Sequence, residues 1–442
     1  MAKIENRISG ITVRGFKSIG TEQHLAIKPL TILAGANSSG KSSFLQPLLL
    51  MKQTLESPGD PGALLLDGPN VRFTTAGQVL NHSHGKESCG EFAVRLSMLD
   101  GQSLELVFVQ KEGKGFELGK MTYQSGSDII AISQKMGQDE IMKLLPKHLK
   151  KIHEDFGKEN KTSFHWVVDR ERCFFRFELI NEDATKRLRF SPFGVSPGHL
   201  FVPYVQGVIH LPGLRGNPRR NYPKTACGPY FQGTFESYAA SVIAQWQGGG
   251  EEAQLRDLAK ALETMGLTWK VKADLVEDTQ VELKVGRLPH SRRGGAHDLV
   301  SIADVGLGVS QSLPVVVALL AARPGQLVYL EQPEIHLHPL AQRRLADIFK
   351  DAVNRGIVSV VETHSALLLR EVQTLIAKGE LRKEDVALHW VQRDENGETT
   401  IRTADLDDNG AYCSDWPEDF DKTELEAEQA YLNAVEAKGA KK

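Results

Sequence analysis

The sequence predicts an α/β protein on three observations. An apolar strand at Leu30–Ala34 passes through a glycine-rich turn, Gly35–Gly40, into an apolar helical stretch at Lys41–Leu55. The final third alternates helix and strand over Gln311–Ala322, Gln326–Leu330, Leu340–Asn354, Ile357–Val361 and Ala366–Ala377. Between these parts, Glu91–Val109 and His165–Leu179 carry the alternation and aromatic content of antiparallel strands.

Taken in order, Ile11–Val13 reads as a strand that precedes Leu30–Ala34, and Pro47 should kink the helix after the turn because it lacks an N–H. A lysine-rich helical stretch at Asp139–His153 separates the antiparallel pairs, and this middle reads as an inserted α+β region. Tyr204–Leu211 reads as a strand, followed by a Gly/Pro/Arg loop and helices near Phe235–Gln247 and Glu251–Met265. The expected organisation is an N-terminal lobe over 1–90, the inserted region over 91–200, a basic loop and helical region over 201–297, a C-terminal lobe over 298–403 and an acidic tail over 404–442. No repeat or sustained heptad is visible.

Composition narrows the class. With 442 residues, 41% hydrophobic and 25% charged, the chain has an ordinary globular balance, which excludes a disordered or fibrous protein. The longest apolar stretch, Leu313–Ala322, is far short of the roughly 20 residues that span a bilayer, and Met1–Gly10 has no apolar signal core, so a soluble, unexported protein without membrane contact is expected. Cys89, Cys173, Cys227 and Cys413 stand apart without a CxxC pair, which suits a reducing cytoplasm. The net charge of -3 hides an asymmetry: Ala404–Gln429 carries -9, leaving +6 on the remainder. Phe201–Phe235 and Leu283–His297 hold basic residues and no acids, a pattern that suits DNA phosphates, a partner's acids or a solvated surface.

The chemistry starts at Gly35. Gly35-Ala36-Asn37-Ser38-Ser39-Gly40-Lys41-Ser42 fits GxxxxGK[ST], in which the backbone N–H groups of Gly35, Asn37, Ser38, Gly40 and Ser43 turn toward a phosphate. Lys41 reaches the β- and γ-phosphates, and Ser42 offers its hydroxyl to Mg²⁺. The apolar run Leu327–Leu330 leads into Glu331-Gln332-Pro333-Glu334, which supplies a carboxylate for the metal shell. Glu331 lies 290 residues beyond Lys41, much farther than in small GTPases or P-loop kinases, and no NKxD motif occurs. Gly306-Leu307-Gly308-Val309-Ser310-Gln311 opens a helix before this strand, and Glu362-Thr363-His364-Ser365 closes a strand after it. That order is the order of ABC-type ATPases, so the predicted fold becomes an ABC-type P-loop head with an antiparallel β lobe.

At these residues the sequence resembles a known group. Ile11-Thr12-Val13-Arg14-Gly15-Phe16-Lys17-Ser18-Ile19, followed by the loop, resembles the amino-terminal lobe of SMC/RecF/OLD ATPases. Leu211–Arg215, Asp304–Pro314, Glu331–Pro339, Asp408–Gly410 and Asp415–Pro417 resemble bacterial ABC-like "AAA family" ATPases with a short C-terminal domain, including ATPase subunits of anti-phage systems such as Septu and PARIS. The resemblance implies a head-to-tail dimer: ATP·Mg²⁺ sits on Lys41 and Ser42 of one copy and is capped by the Gly308, Ser310 and Gln311 region of the other. It also implies Glu331 at the metal, Gln332 at the general-base position and His364 as a γ-phosphate sensor. An amide cannot take the attacking water's proton, so either Glu334 substitutes or hydrolysis is slow.

Weaker features complete the reading. His336 and His338 read as a turn and helix start rather than as metal ligands, and His82, His84 and Cys89 lack a fourth ligand for zinc. Asp405-Leu406-Asp407 reads as solvated acids, because too little chain follows His364 for a nuclease domain; Arg215 contacts phosphate or a partner, or forms a structural ion pair. Three functions compete: an ATP-gated homo-oligomeric scaffold controlling a separate co-encoded effector of nuclease type; a RecF-like DNA-binding repair ATPase; and an autonomous nuclease, which the missing metal-carboxylate constellation disfavours.

Overall fold

The computed structural model describes residues 6–82, 90–151, 164–183, 188–287, 298–413 and a few near 430. Its centre is a six-stranded sheet in the order Ile209–Leu211, Leu327–Glu331, Val358–Glu362, Leu30–Ala34, Val386–Arg393, Thr399–Thr403. The first five strands are mutually parallel and the last is antiparallel. Both faces of this sheet are buried, which explains why its strands read as continuous apolar runs rather than alternating ones. Leu33, Tyr329, Val358 and Val360 pack with Phe44 and Leu48, while Ile32, Leu330 and Val361 pack with Leu345, Phe349, Leu368 and Val372 of the C-terminal helices.

The N-terminal lobe is an antiparallel sheet in the order Gln23–Ala26, Ile8–Arg14, Glu91–Met98, Ser103–Lys111, Gly115–Ser125, Asp128–Ile132. Its register pairs Val13 with Val94, so the boundary expected at residue 90 runs through one sheet, and residues 91–132 extend the lobe rather than interrupt it. Phe164–Glu171, Phe174–Asp183 and Leu188–Val195 form a second, three-stranded sheet. The lysine-rich helical stretch is broken: one helix spans Gln138–Leu144, Leu145 turns extended ahead of Pro146, and residues 147–151 are helical again.

Three further expectations are corrected. Pro47 does not kink a long helix. Lys41–Phe44 is a 3₁₀ turn and the α-helix begins at Gln46, which puts Pro47 in the first turn where an N–H has no intrahelical acceptor to lose. Tyr204–Leu211 is a short helix, Val202–Gln206, followed by the strand Ile209–Leu211. The 201–297 region also holds an antiparallel hairpin, Val271–Glu277 with Gln280–Gly286, beside the helices Ala239–Gly249 and Glu252–Thr264. Among the described residues no helix is long and apolar enough to cross a membrane.

Candidate functional site

The parallel strands deliver their carboxyl ends to one edge of the sheet, where ligands of open α/β sheets gather. Gly35–Ser42 wraps this edge between Leu30–Ala34 and the 3₁₀ turn. Gly35 has φ 148° and Gly40 φ 101°. A Cβ on Gly35 would stand 2.1 Å from the Val391 carbonyl, and one on Gly40 2.2 Å from Thr399 Oγ1, so both glycines are required by close approach as well as by backbone angle. Lys41 Nζ donates back to the carbonyls of Gly35 (3.0 Å) and Ala36 (2.8 Å). Among the described residues the N–H groups of Asn37, Ser38 and Gly40 have no protein acceptor, which leaves them to an anion.

Two carboxylates meet at the same edge. Glu331 and Glu362 are register neighbours on adjacent strands, and strand alternation puts them on the face that packs Phe44. Glu362 is buried; its Oε2 accepts from Ser42 Oγ at 2.9 Å and its Oε1 accepts from the Tyr329 hydroxyl. Burial, and then the charge of Glu331, push its pKa up to about 7. Glu331 is held elsewhere: Oε1 lies 3.2 Å from His210 Nε2, and Oε2 accepts from the Gly213 N–H at 3.1 Å. Burial opposes its charge, but the bonds from His210 and Gly213 prevail and its pKa falls below the ordinary glutamate value. His210 stacks on Tyr329 at 5.2 Å, and Asn70 Nδ2 donates to its Nδ1 at 3.2 Å, which assigns the ring proton to Nε2, facing Glu331.

A cavity of about 360 Å³ opens above the loop, lined by Asn37, Ser38, Gly40, Lys41, Ser42 and Ser43 together with Lys17, Gln332, Glu362, His364 and Arg393. Three cations, Lys17, Lys41 and Arg393, face one carboxyl group. Burial, then repulsion from Arg393, lowers the pKa of Lys17; burial also lowers that of Lys41, and burial with the Lys41 charge lowers that of His364. Arg393 Nε donates to the Ser38 carbonyl at 2.8 Å. The excess of cations and unclaimed amides fits a polyphosphate, and the Ser42 and Glu362 oxygens are the hard donors that suit Mg²⁺.

Gln332, Lys41, Ser42 and His364 are thus brought together, while Glu331 and Glu334 do not line the cavity. Glu331, expected at the metal beside Ser42, gives that contact to Glu362, because strand Val358–Glu362 lies between the carboxylate strand and the loop strand. Gln332 has φ 44° and donates its N–H to the Glu362 carbonyl at 2.8 Å. Glu334 Oε1 accepts from Thr363 Oγ1 (2.7 Å) and the His364 N–H (2.8 Å), so Glu334 tethers the strand end that carries His364. Among the described residues Arg215 forms no ion pair with a carboxylate; its guanidinium clamps the carbonyls of Pro212, Glu331 and Gln332.

Gly308, Ser310 and Gln311 stand apart from this cavity, at the start of helix Leu307–Ala321. Ser310 Oγ donates to the Leu307 carbonyl and Gln311 Nε2 to the Gly216 carbonyl. Within the basic stretches Arg220 pairs with Asp304, and Lys284 with Asp274 and Glu282. His338 caps helix Pro339–Asn354 by accepting from the Leu340 N–H. His84, Cys89, Arg292, Arg293 and most of the acidic tail lie outside the described residues.

Residues 255–370 match the family described as "AAA domain, putative AbiEii toxin, Type IV TA system". No curated protein matches the chain. Similar solved structures include an SMC head domain from Thermotoga maritima, 12% identical with a TM-score of 0.41, covering 90% of this chain and 100% of that one. The Smc head domain with an extended coiled coil from Pyrococcus furiosus, bound to the C-terminal domain of ScpA, is 10% identical with a TM-score of 0.46, covering 98% and 100%. The Smc head with a coiled coil and joint from Pyrococcus yayanosii is 11% identical with a TM-score of 0.46, covering 92% and 98%. The phosphate loop, the carboxylates at neighbouring strand ends and the AAA-domain match are features of a nucleotide-binding ATPase.

Proposed function

We propose that this chain binds ATP with Mg²⁺ in the phosphate-loop cavity, hydrolyses it slowly, and serves as the sensor and scaffold ATPase of an anti-phage defence system that controls a separate effector of nuclease type. The observation that carries the nucleotide reading is the cavity itself: unclaimed loop amides, Lys41, Lys17 and Arg393 converge on one space beside the Ser42–Glu362 pair. Mg²⁺ at Ser42 would offset the charge of the β- and γ-phosphates. Around it, this chain's groups have distinct tasks. Lys41 places a point charge on the phosphates, Gln332 orients water without accepting its proton, and His364, kept neutral by burial and Lys41, stands as a hydrogen-bonding sensor of the terminal phosphate. The defence role is supported by the sequence resemblance and by the toxin–antitoxin description of the matched domain.

The test is calorimetric. Native protein should bind ATP, and Lys41→Ala should weaken that binding at least about tenfold, the cost of one charge-assisted bond to phosphate. Circular dichroism should stay unchanged. Undiminished affinity in the variant would remove the loop assignment.

A further inference from the structure

We propose that Glu362, rather than Glu331, is the carboxylate that positions a divalent cation at Ser42; this rests on the nucleotide reading above and deepens it. Sequence order alone assigns the role to Glu331, which ends the apolar strand Leu327–Glu331. The fold separates that strand from the phosphate loop by Val358–Glu362, whose last residue is the register neighbour of Leu33 on the loop strand. Glu362 therefore stands next to Ser42 and lines the cavity, and Glu331 does not.

The hydrogen bonds divide the two carboxylates in the same way. Both Glu331 oxygens are engaged away from the loop, by His210 and the Gly213 N–H. Glu362 Oε2 accepts a hydrogen bond from the Ser42 hydroxyl, which turns the lone pairs of the serine oxygen outward to a cation, and the Tyr329 hydroxyl fixes the other carboxylate oxygen. A cation bound through Ser42 Oγ keeps this serine–glutamate bond intact. Glu331, one strand farther away, contributes charge at longer range.

The experiment counts Mn²⁺ bound to the ADP-loaded protein by electron paramagnetic resonance, and measures ADP affinity separately in EDTA. Glu362→Gln, which keeps the side chain's shape, should lower Mn²⁺ affinity at least about tenfold while ADP affinity in EDTA is preserved, and Glu331→Gln should lower it less. Loss of Mn²⁺ in Glu331→Gln with native affinity in Glu362→Gln overturns the assignment and leaves the nucleotide site standing. If native protein binds no ADP, the nucleotide reading falls and takes this assignment with it. Should Glu362→Gln lose its ADP affinity in EDTA through misfolding, Tyr329→Phe decides. Removing only the hydroxyl that orients Glu362 should cost a few-fold in Mn²⁺ affinity, and an unchanged value overturns the proposal.

Discussion

Gln332 lines the cavity where the carboxylate strand ends, and its φ of 44° shows that the backbone is held there against its preference. Three anchors hold it: the Glu362 carbonyl on its N–H, and Arg215 on its own carbonyl and that of Glu331. A side chain so placed but lacking a basic atom should orient water and give slow turnover, below about 1 s⁻¹ against a median near 10 s⁻¹ for enzymes. Gln332→Glu should raise kcat at least about tenfold by supplying the missing base, as read from phosphate release. Glu334 was the alternative base, but its Oε1 is committed to Thr363 and His364 and it does not line the cavity. Glu334→Gln should therefore change kcat by only a few-fold. A fall of 10²–10⁴-fold, the usual cost of losing a general base, would assign the proton to Glu334 after all.

Strand Val386–Arg393 ties the two lobes together through one side chain. His389 is buried, with Nε2 2.8 Å from the Ala26 carbonyl and Nδ1 2.9 Å from Thr403 Oγ1; burial lowers its pKa to about 4. The folded-state value lies below the unfolded one, so between about pH 6.5 and 4 the unfolded chain binds a proton that the folded chain refuses. Stability should fall as pH drops through that window, by up to about 3 kcal/mol, and be unaffected by this group above it. Urea unfolding of native protein and His389→Gln at pH 7.5 and 4.5 checks this, the variant losing less on acidification. The same element shows what the sequence could convey. The phosphate loop was legible because its chemistry is local, eight residues between a strand and a helix. The helices and strands between Leu307 and Ala377 were legible because each is a continuous apolar run of the right length, to within a few residues, whereas strands Val386–Arg393 and Thr399–Thr403 were not read from the sequence. The roles of Glu362, Tyr329, His210 and Arg393 depend on which strands lie side by side, and no local pattern announces that Val358–Glu362 pairs with Leu30–Ala34 across more than 320 residues. Glu362 itself was readable as a carboxylate at a strand end, but its neighbour Ser42 was not. The lobe boundary failed for the same reason, since Ile8–Arg14 and Glu91–Met98 join one sheet from either side of the loop and its helix.

At the scale of the molecule, the cavity opens on the sheet edge that also carries three large exposed apolar side chains. Leu214 (91% exposed) follows strand Ile209–Leu211, Leu307 (38%) starts the helix that holds Ser310 and Gln311, and Leu340 (54%) starts the helix after Glu334. Within one chain the Gly308–Gln311 segment does not line the phosphate-loop cavity, so the head-to-tail reading of the sequence requires a second copy to bring it there. In that arrangement the nucleotide is part of the interface and dimerisation becomes linked to ATP by mass action. Light scattering should find a monomer without nucleotide and a dimer at saturating ATP·Mg²⁺. Leu307→Arg is a better probe than Ser310→Arg, because Ser310 is buried with its hydroxyl on the Leu307 carbonyl and a large cation there would disturb the helix start itself. Leu307→Arg puts charge on the exposed face and should hold the protein monomeric at saturating ATP, while calorimetry shows that each chain still binds nucleotide, with the affinity native protein has when too dilute to dimerise. Lys41→Ala should also stay monomeric, but for the opposite reason, with affinity lost and the face intact. A native protein that remains monomeric at saturating ATP·Mg²⁺ would refute the shared site.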